Sequence, residues 1–533
     1  MKTFGTQGPV NPKENYVVSR TKEIEDFVDR VKQGKYIVLF APRQTGKTTL
    51  FRSAMDVLMA EGYFPIQLNF ELYVDYPASD FYRAFYGQLR EKIKRVFEKR
   101  GTTPSKTLSQ FLDKTDVTDR VSMVEFFTQL VSFLPEQNSF QKVVLIIDEF
   151  DAIPPDAVRG FLHSLRYIYL DSTSLRCPYS VGIVGVKNIT QLNYDRSISP
   201  FNIQDEFHLP NFTLAQVREL LDQYTEEVGQ AFTPEVITFI HKQTAGQPFL
   251  VNRCAQMLTE EMDIRKNETI ALSHFFQAHR RLLRERNTNV DHLLTNIRRD
   301  RRFEKILMRI ASYERGLPFS LDNDIMNELS IYGVIAEGAD GACEIVNPIY
   351  QHRILQTFKP LFNGLENDYF SEDNGDDFID YLTPDGVIEM GTLLENFQGF
   401  IARAGFRILQ VPDTPQEYVG QHLLYAYLEQ LVHSVGATIF LETQTGRGRI
   451  DLIIVHNQRK YIVETKIWEG DRRYQTGKKQ LAAYLKLERA KEGYYVVFDH
   501  RNNPTSRLET ETIDGLKIQS YVIPVLQERP SAV

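Results

Sequence analysis

Residues 36–50, YIVLFAPRQTGKTTL, decide how the first part of the chain folds. The first five are apolar and rich in β-branched and aromatic side chains, which is typical of a buried parallel strand. A short polar turn follows, and a helix is predicted to begin at Gly46. The backbone N–H groups of such a turn and of the helix N-terminus carry partial positive charge, so this stretch predicts a phosphate-binding site.

The turn fits the nucleotide P-loop pattern with one departure. Ala41 replaces the first glycine of the pattern and is followed by Pro42, which is tolerated if the φ angle of Ala41 stays negative. Lys47 is predicted to reach the β- and γ-phosphates of ATP or GTP, and the Thr48 hydroxyl to bind Mg²⁺. The other predicted nucleotide-binding residues of the loop are Ala41, Arg43, Gln44, Thr45, Gly46 and Thr49.

A second apolar strand is predicted at residues 143–147, VVLII, and it ends in Asp148 and Glu149. Ligands bind at the carboxyl ends of the strands in open α/β sheets. Asp148 is therefore predicted to hold Mg²⁺ together with Thr48, and Glu149 to orient and deprotonate the attacking water. With the P-loop upstream, this pair predicts hydrolysis rather than binding alone.

Length and composition indicate a soluble protein of several domains. The 533 residues exceed one hydrophobic core, and 42% hydrophobic and 25% charged residues are ordinary for a globular protein. The net charge of −8 means that nucleic acid would have to bind to local basic patches. Cys177, Cys254 and Cys343 fit neither a zinc spacing nor a disulfide framework. No apolar run reaches membrane-spanning length, so we expect a cytoplasmic protein without membrane contact.

Several short motifs resemble AAA+ and STAND-type P-loop ATPases over about residues 10–350. They are YVVSR at 16–20, SPFN at 199–202, FTLAQV at 212–217 and the Gly246–Gln247–Pro248 triplet. The resemblance implies ATP as the nucleotide, a homo-oligomer, an adenine pocket lined by residues 16–20 and nucleotide contact from a helical lid at Pro248. A strand merely packing at 16–20, and a plain helix boundary at Pro248, stay open as alternatives.

The same resemblance implies two further nucleotide-binding residues. Asn188, which follows a predicted strand, would sense the γ-phosphate, and Arg196 would act as an arginine finger toward a neighbouring subunit. For Asn188 the alternative is a turn residue, and for Arg196 it is a surface ion pair.

A winged-helix pattern is predicted downstream, with helices at 303–312 and 323–332 and a hairpin at 333–346. Because the second helix is acidic, we interpret this module as structural rather than as a reader of bases. Two arginine clusters before it are able to bind phosphate: Arg280, Arg281, Arg284 and Arg286, then Arg298, Arg299, Arg301 and Arg302. Residues 366–389 lack lysine and arginine, which predicts an acidic linker or, alternatively, a decoy for phosphate.

The last part of the chain carries a second catalytic constellation. Strands are predicted at 451–455 and 460–467, and the hairpin between them places Asp451 beside Glu464. Glu464 and Lys466 lie on one face because strand side chains alternate with a period of two. The two carboxylates predict a Mg²⁺ or Mn²⁺ site, and Lys466 would position water or stabilise the transferring phosphate.

This layout resembles the PD-(D/E)XK nuclease superfamily, with Asp451 as the motif aspartate and Glu464–Thr465–Lys466 as the ExK, although Ile450 replaces the motif proline. Gln480 and Tyr484 are similar to a QxxxY motif of that superfamily, which implies a catalytic role for Gln480. The resemblance also implies that a preceding helix supplies a metal ligand, assigned to Glu417 over Glu429. Residues nearby are predicted to stack on bases or bind phosphate: Trp468, Arg472, Arg473, Lys478 and Lys479.

Together these patterns predict an α/β multidomain protein. Its domains are a parallel-sheet P-loop ATPase core at 1–210, a helical lid at 211–300, a winged helix at 301–357, an acidic linker at 358–395 and a restriction-endonuclease-like α/β domain at 396–533. The predicted function is ATP hydrolysis that controls a metal-dependent nuclease, acting on DNA in preference to RNA, in defence or mobile-element biology. The alternatives are a STAND-like signalling scaffold with a nuclease-derived binding domain, and an ATP-dependent DNA translocase or transposition factor.

Overall fold

The structure is a computed structural model that describes residues 1–134, 142–171, 176–186, 203–285, 301–312, 317–338, 341–357, 381–404, 416–442, 451–501 and 503–525. The chain divides into two compact units. One consists of Met1–Gln230 with Gln247–Gln256, and the other of Ala231–Gly246 with Met257–Val533. The P-loop lies in the first unit, and the predicted nuclease residues lie in the second.

The first unit is built on a five-stranded parallel sheet. Its strands are β1 (Tyr36–Phe40), β2 (Phe64–Asn69), β3 (Val143–Asp148), β4 (Ser180–Gly185) and β5 (Gln204–Glu206), in the order β2-β3-β4-β1-β5. Because the strands run in one direction, their carboxyl ends meet at one edge of the sheet. The P-loop after β1 and the acidic pair at the end of β3 therefore lie on neighbouring parts of that edge.

Helices cover both faces of this sheet. They are α1 (Thr21–Lys32), α2 (Lys47–Ala60), α3 (Ala78–Lys99), α4 (Lys106–Lys114), α5 (Arg120–Leu130) and α6 (Pro155–Leu170). Tyr36 and Val38 of β1 pack in a core with α3 to α6, while Ile37 and Leu39 pack with α1 and α2 on the other face. Successive strand residues point to opposite faces, so the apolar run of β1 fills two cores at once.

Two further helices, α7 (Leu214–Val228) and α9 (Pro248–Gln256), complete the first unit. Thr213 caps α7: its hydroxyl accepts a hydrogen bond from the Gln216 N–H at 3.2 Å, and the Gln216 side chain accepts one from the Thr213 N–H at 2.9 Å. The rings of Phe4 and Tyr16 each lie 5.9 Å from the ring of Tyr224, which attaches the N-terminal segment to α7.

The second unit begins with helices and a small hairpin. The elements are α8 (Pro234–Thr244), α10 (Leu272–Arg284), α11 (Arg301–Ser312), α12 (Asp324–Ile331), β6 (Ile335–Glu337), β7 (Cys343–Ile345) and α13 (Pro348–Thr357). β6 and β7 pair antiparallel, so the order of two helices and a hairpin agrees with the predicted pattern. The Asn323 side chain caps α12 by accepting hydrogen bonds from the N–H groups of Ile325 and Met326.

A six-stranded mixed sheet forms the C-terminal part of this unit. Its elements are α14 (Met390–Ala404), α15 (Gln416–Ser434), β8 (Thr438–Glu442), β9 (Asp451–His456), β10 (Arg459–Ile467), α16 (Asp471–Leu487), β11 (Glu492–Asp499), β12 (Arg507–Ile513) and β13 (Leu516–Pro524). The strand order is β12-β13-β11-β10-β9-β8. β10, β11 and β13 are parallel to one another, and the other three strands pair antiparallel with their neighbours.

Helices α8 and α10 share a core with this sheet. The rings of Phe239, Phe275, Phe276 and His279 lie 4.8–6.4 Å from the ring of Phe440 on β8, and these five residues are called the Phe440 cluster. The Arg280 guanidinium donates hydrogen bonds to the carbonyl oxygens of Gly436 and Ala437 at 2.8 and 3.1 Å. Helices α8 and α10 are thus packed onto the C-terminal sheet.

Across the part of the chain that the structure describes, no helix combines the length and the apolar character needed to cross a membrane.

Candidate functional site

The P-loop connects β1 to α2 through two residues in the left-handed region. Gln44 has a φ of 61°, and Gly46 has a φ of 88°, a conformation that glycine adopts without steric cost. Ala41 has no positive φ, so its Cβ is accommodated as predicted. The Lys47 ammonium group donates hydrogen bonds to the carbonyl oxygens of Ala41 and Pro42 at 2.6 and 2.7 Å. The first loop position thus contributes its carbonyl group to the site.

The acidic pair lies beside the start of α2. The Thr48 hydroxyl donates a hydrogen bond to Asp148 Oδ2 at 3.0 Å, and Asp148 is buried. Glu149 has a φ of 52°, and its N–H donates to Asp148 Oδ1 at 3.1 Å. The structure therefore brings Thr48 next to Asp148 and Glu149, an adjacent pair that lies about one hundred positions later in the sequence.

The ionisation of this site is shifted by burial. Burial lowers the pKa of Lys47 to about 8, although Glu149, Asp148 and Asp151 act to raise it. Burial raises the pKa of Glu149, and the neighbouring Asp151 and Asp148 carboxylates raise it further. Lys47 and Glu149 thus have a weakened preference for their charged forms, which is common at catalytic sites.

Asp151 was not predicted as a site residue, yet it links the ends of two strands. Its Oδ1 accepts a hydrogen bond from the Val186 N–H at 3.0 Å, directly after β4. A Cβ on Gly185 would lie 2.7 Å from the same oxygen, so the contact requires glycine there. Asn188, the predicted γ-phosphate sensor, and Arg196, the predicted arginine finger, lie outside the described residues.

A cavity adjoins the P-loop on its other side. It is lined by residues 16–20 and by Gln44, Gly46, Thr49, Phe212, Pro248 and Phe249 among others. The N-terminal residues Gly5, Thr6, Gly8 and Val10 also line it, and no motif in the sequence indicated this. The lining is mostly apolar and includes Gln44 and Gly46 of the phosphate loop, an arrangement that suits a planar base.

Arg20 contacts the P-loop, which no sequence motif indicates. It is 6% exposed, and its guanidinium donates to the carbonyl oxygens of Pro210 and Thr45 at 3.1 and 3.4 Å. The guanidinium also lies 4.7 Å from the centre of the Phe212 ring. Burial lowers the pKa of Arg20 to about 10. Arg20 thus holds the P-loop and the segment before α7 together.

The Gly-x-Pro triplet contacts the loop through its middle residue. The Gln247 amide donates to the Gln44 carbonyl oxygen at 3.4 Å, and its Oε1 accepts from the Leu250 N–H at 2.7 Å. Pro248 begins α9 and lines the cavity. The family resemblance implies a nucleotide contact at Pro248, whereas the residue of the triplet that contacts the loop is Gln247.

The predicted nuclease residues lie on α15, β9, β10 and α16. Glu464 and Lys466 are both buried, and the Lys466 ammonium lies 3.1 Å from Glu464 Oε1. The antiparallel pairing of β9 with β10 extends to Leu452, which lies opposite Val463. The next residue on each strand is Asp451 on β9 and Glu464 on β10, so the same register brings these two opposite each other. The backbone therefore places Asp451 at the position predicted for it. The side chains of Asp451 and Glu417 lie outside the described residues.

The face of the sheet that carries Glu464 is the one covered by α16. Tyr495 is paired with Glu464 across β10 and β11, and a Cβ on Gly477 of α16 would lie 2.0 Å from the Tyr495 hydroxyl. Paired residues of neighbouring strands share a face. Gln480 lies on this helix and is half-buried. Among the described residues, no group of three or more His, Cys, Asp or Glu side chains is arranged to hold a metal ion.

Two predicted nucleic-acid contacts are wrong. Trp468 is 6% exposed, and the guanidiniums of Arg501 and Arg507 each lie 4.7 Å from the centre of its ring, so the indole is not available to stack on a base. Lys478 is buried, and its ammonium forms ion pairs with Glu509 and Glu511 on β12. Arg472 and Lys479 are exposed, as their predicted role requires.

The first arginine cluster is largely engaged within the second unit. Arg280 binds the carbonyl oxygens of residues 436 and 437, and Arg281 forms an ion pair with Glu261 at 3.2 Å. Arg286, Arg298 and Arg299 lie outside the described residues. Arg280 is therefore a packing residue here, which the sequence pattern of repeated arginines did not indicate.

Comparison with solved structures gives distant similarities. The Walker-type ATPase PABY2304 of Pyrococcus abyssi is 15% identical, with a TM-score of 0.44 over 66% of this chain and 99% of that chain. ORC1 of Aeropyrum pernix, solved in complex with DNA, is 16% identical, with a TM-score of 0.30 over 64% and 93%. RuvB of Thermotoga maritima, a Holliday junction branch migration motor, is 14% identical, with a TM-score of 0.32 over 62% and 94%.

Among curated proteins, an uncharacterized WD repeat-containing protein, slr0143 of Synechocystis sp., is 21% identical over 250 residues. The matched region is 46% of this chain and 20% of that protein, so the chain spans about a fifth of its relative.

Two families match consecutive parts of the chain. Residues 389–502 match a family described as a domain of unknown function (DUF8371). Residues 6–353, well over half of the 533 residues, match a family described as an AAA-like domain, and this family implies ATP as the nucleotide. The match covers the P-loop, the acidic pair after β3 and the Gly246–Pro248 triplet. The chain therefore belongs to the AAA-like domain family.

Proposed function

We propose that this chain hydrolyses ATP and that the ATPase controls a metal-dependent nuclease in the C-terminal domain. The observation that carries the nuclease part is the buried Glu464–Lys466 pair on β10, one strand away from the backbone position of Asp451. Hydrolysis is supported by the contact of Thr48 with Asp148.

In the first unit, the donors fit a nucleotide-bound Mg²⁺. A hydroxyl and a carboxylate that lie within 3.0 Å of each other are the hard oxygen ligands that Mg²⁺ prefers. Thr48 and Asp148 would hold the ion, which supplies positive charge to the β- and γ-phosphate oxygens when bound. Lys47 would leave the carbonyl oxygens of its loop to bind the same phosphates. Glu149 would accept a proton from the attacking water, a role that a raised carboxyl pKa favours.

In the second unit, Asp451 and Glu464 would hold Mg²⁺ or Mn²⁺, with Glu417 as a further ligand. Glu464 supplies a buried carboxylate, the kind of donor that these ions take. The ion, when bound, would supply Lewis-acid charge to the scissile phosphate. Lys466 would stabilise the charge that develops on that phosphate. Gln480, on α16, would help to orient the same phosphate. DNA is the proposed substrate in preference to RNA, and a homo-oligomer is the proposed assembly.

The proposal is tested by separating the two activities. Lys47→Ala should abolish ATP turnover, while Asp451→Ala and Lys466→Ala should abolish cleavage and leave ATP turnover unchanged. Lys517→Ala, which removes a half-exposed lysine from β13, is the matched control for Lys466→Ala. The substrates are plasmid, linear duplex, single-stranded DNA and RNA, each with and without ATP, Mg²⁺ and Mn²⁺. Cleavage that persists in Asp451→Ala protein would refute the nuclease.

A second candidate is an ATP-driven switch whose C-terminal domain binds a partner without cutting nucleic acid. The burial of Trp468 and the ion pairs of Lys478 favour it, because they remove two predicted nucleic-acid contacts. This candidate predicts normal ATP turnover and no metal-dependent cleavage of any of the four substrates.

A further inference from the structure

A groove lies between α5 and α6 of the first unit, on the face of the sheet opposite to α2. The Ser164 hydroxyl holds the two helices together by donating to the carbonyl oxygens of Arg120 and Gly160 at 3.0 and 3.1 Å. A Cβ on Gly160 would lie 3.0 Å from the Tyr82 hydroxyl and 3.8 Å from the Arg120 Cβ. The walls of the groove are therefore formed by two closely packed helices rather than by loops.

The groove is strongly basic. Arg120, Arg159 and Arg166 line it, and none of the three guanidiniums forms an ion pair with a residue that the structure describes. Burial and these three arginines hold the pKa of His163, which lies between them, below its ordinary value. Among the described residues of the lining, Glu125 is the single acidic one. Unpaired guanidiniums that face one space favour an anionic occupant.

The same groove is also apolar at its rim. Tyr167, Leu170 and Val121 are 65%, 60% and 56% exposed, and all three line it. Exposed aliphatic and aromatic side chains at an otherwise charged surface mark a contact with another protein. A nucleic-acid backbone would satisfy the arginines but would leave these side chains exposed to water. The occupant that fits both features is an acidic peptide that carries large apolar side chains.

The sequence of this chain contains such a peptide. Residues 366–380, ENDYFSEDNGDDFID, hold seven acidic residues and no basic residue, together with Tyr369, Phe370, Phe378 and Ile379. Their charge and their aromatic side chains complement the three arginines and the apolar rim. We propose that the groove between α5 and α6 is a docking surface for residues 366–380 of a second copy of this chain.

A labelled peptide with the sequence of residues 366–380 tests this proposal by fluorescence anisotropy. The full chain should bind the peptide, and Arg159→Glu combined with Arg166→Glu should weaken binding roughly tenfold, as expected for the loss of two exposed ion pairs. Arg83→Glu combined with Arg218→Glu is the matched control, because both arginines are exposed on helices outside the groove. This control should bind as the wild type does.

A charge reversal makes the test specific to the groove. A peptide whose seven acidic residues are replaced by lysine should bind the Arg159→Glu, Arg166→Glu chain better than it binds the wild type. A second receptor is a variant of the full chain whose seven acidic residues at 366–380 are changed to Asn or Gln. In this variant, residues 366–380 cannot compete with the labelled peptide for the groove. The proposal is overturned if neither this receptor nor the wild type binds the acidic peptide, or if a duplex oligonucleotide binds the groove instead.

Discussion

The environment of Lys47 determines how nucleotide binding depends on pH. Its ammonium group is held by two carbonyl oxygens, and burial lowers its pKa to about 8. Phosphate oxygens placed beside this group favour its charged form and raise the pKa again. Binding of ATP must therefore be coupled to the uptake of a proton whenever the pH lies above about 8.

We expect the affinity for ATP to fall as pH rises from 8 to 9.5, by up to tenfold per pH unit. Calorimetric titrations at pH 9 in buffers of different ionisation enthalpy should show uptake of up to one proton. Lys47→Arg is the control, because its guanidinium stays charged over this range. Equal proton uptake in Lys47→Arg and in the wild type would show that another group is responsible.

Gly477 is required by the close approach of α16 to β11. A Cβ there would lie 2.0 Å from the hydroxyl oxygen and 2.6 Å from the ring carbon Cζ of Tyr495. Gly477→Ala should therefore destabilise the second unit by about 1–3 kcal/mol, in spite of the better helix propensity of alanine. Urea denaturation followed by circular dichroism measures this change. Gln475→Ala, at an exposed position of the same helix, should have little effect, and a stable Gly477→Ala protein would show that Tyr495 moves freely.

At the level of elements, the packing of α10 against β8 makes the second unit sensitive to acid. Burial lowers the pKa of His279 to about 3, and it lowers the pKa of His352, whose Nδ1 bonds the Tyr425 hydroxyl, to about 3 as well. The His279 Nε2 lies 3.1 Å from Gln243 Oε1 of α8. An unfolded chain binds protons at these groups near pH 6.5, whereas the folded chain resists protonation down to about pH 3.

The free energy of unfolding of the second unit should therefore decrease as the pH falls from about 6.5 toward 3. His279→Gln should reduce this slope by up to about 1.4 kcal/mol per pH unit, the contribution of one titrating group. Urea titrations at pH 7, 6 and 5 measure the slope. His163→Gln, on α6 of the first unit, is the control, and an unchanged slope in His279→Gln would contradict the assignment.

Elements with a strong local pattern were predictable from the sequence. β1, β9 and β10 agree with their predicted bounds to within one residue, because apolar runs and alternation are properties of neighbouring positions. The P-loop and the acidic pair after β3 were predictable for the same reason. β12 and β13 were not assigned, since their residues become buried or exposed only through pairing with distant strands.

The site residues that the sequence did not reveal also depend on contacts between distant positions. Arg20 and Gln247 act on the P-loop across long sequence separations, and Trp468 is covered by arginines 33 and 39 residues downstream. Residue type and spacing indicate which side chains are able to bind a ligand. They do not indicate which of them the fold engages internally.

On the scale of the whole molecule, the match to the AAA-like family ends inside the second compact unit. Residues 257–353 belong to that match, yet they share a unit with the C-terminal sheet. The cavity beside the P-loop, by contrast, is lined by first-unit residues throughout. Nucleotide binding and the stability of the C-terminal sheet should therefore respond to different substitutions.

Phe440→Ala tests this separation. Removal of the ring from the centre of the Phe440 cluster should destabilise the second unit by about 3–5 kcal/mol. The affinity for ADP, measured by calorimetry at a temperature where both units are folded, should stay unchanged. Leu508→Ala, at a half-exposed position of β12, is the matched control. A loss of ADP affinity in Phe440→Ala protein would show that the two units are energetically coupled.

The ion pairs of Lys478 with Glu509 and Glu511 also bear on solubility. Among the described strands, β12 is the outermost of the C-terminal sheet, and an edge strand presents backbone groups that are able to pair with a strand from another molecule. Both glutamates point from that strand toward a buried lysine on α16, which places charge on the inward side of the edge. A foreign strand that extended the sheet would have to pack against these charges. The sheet thus has built-in protection against growth into aggregates at β12.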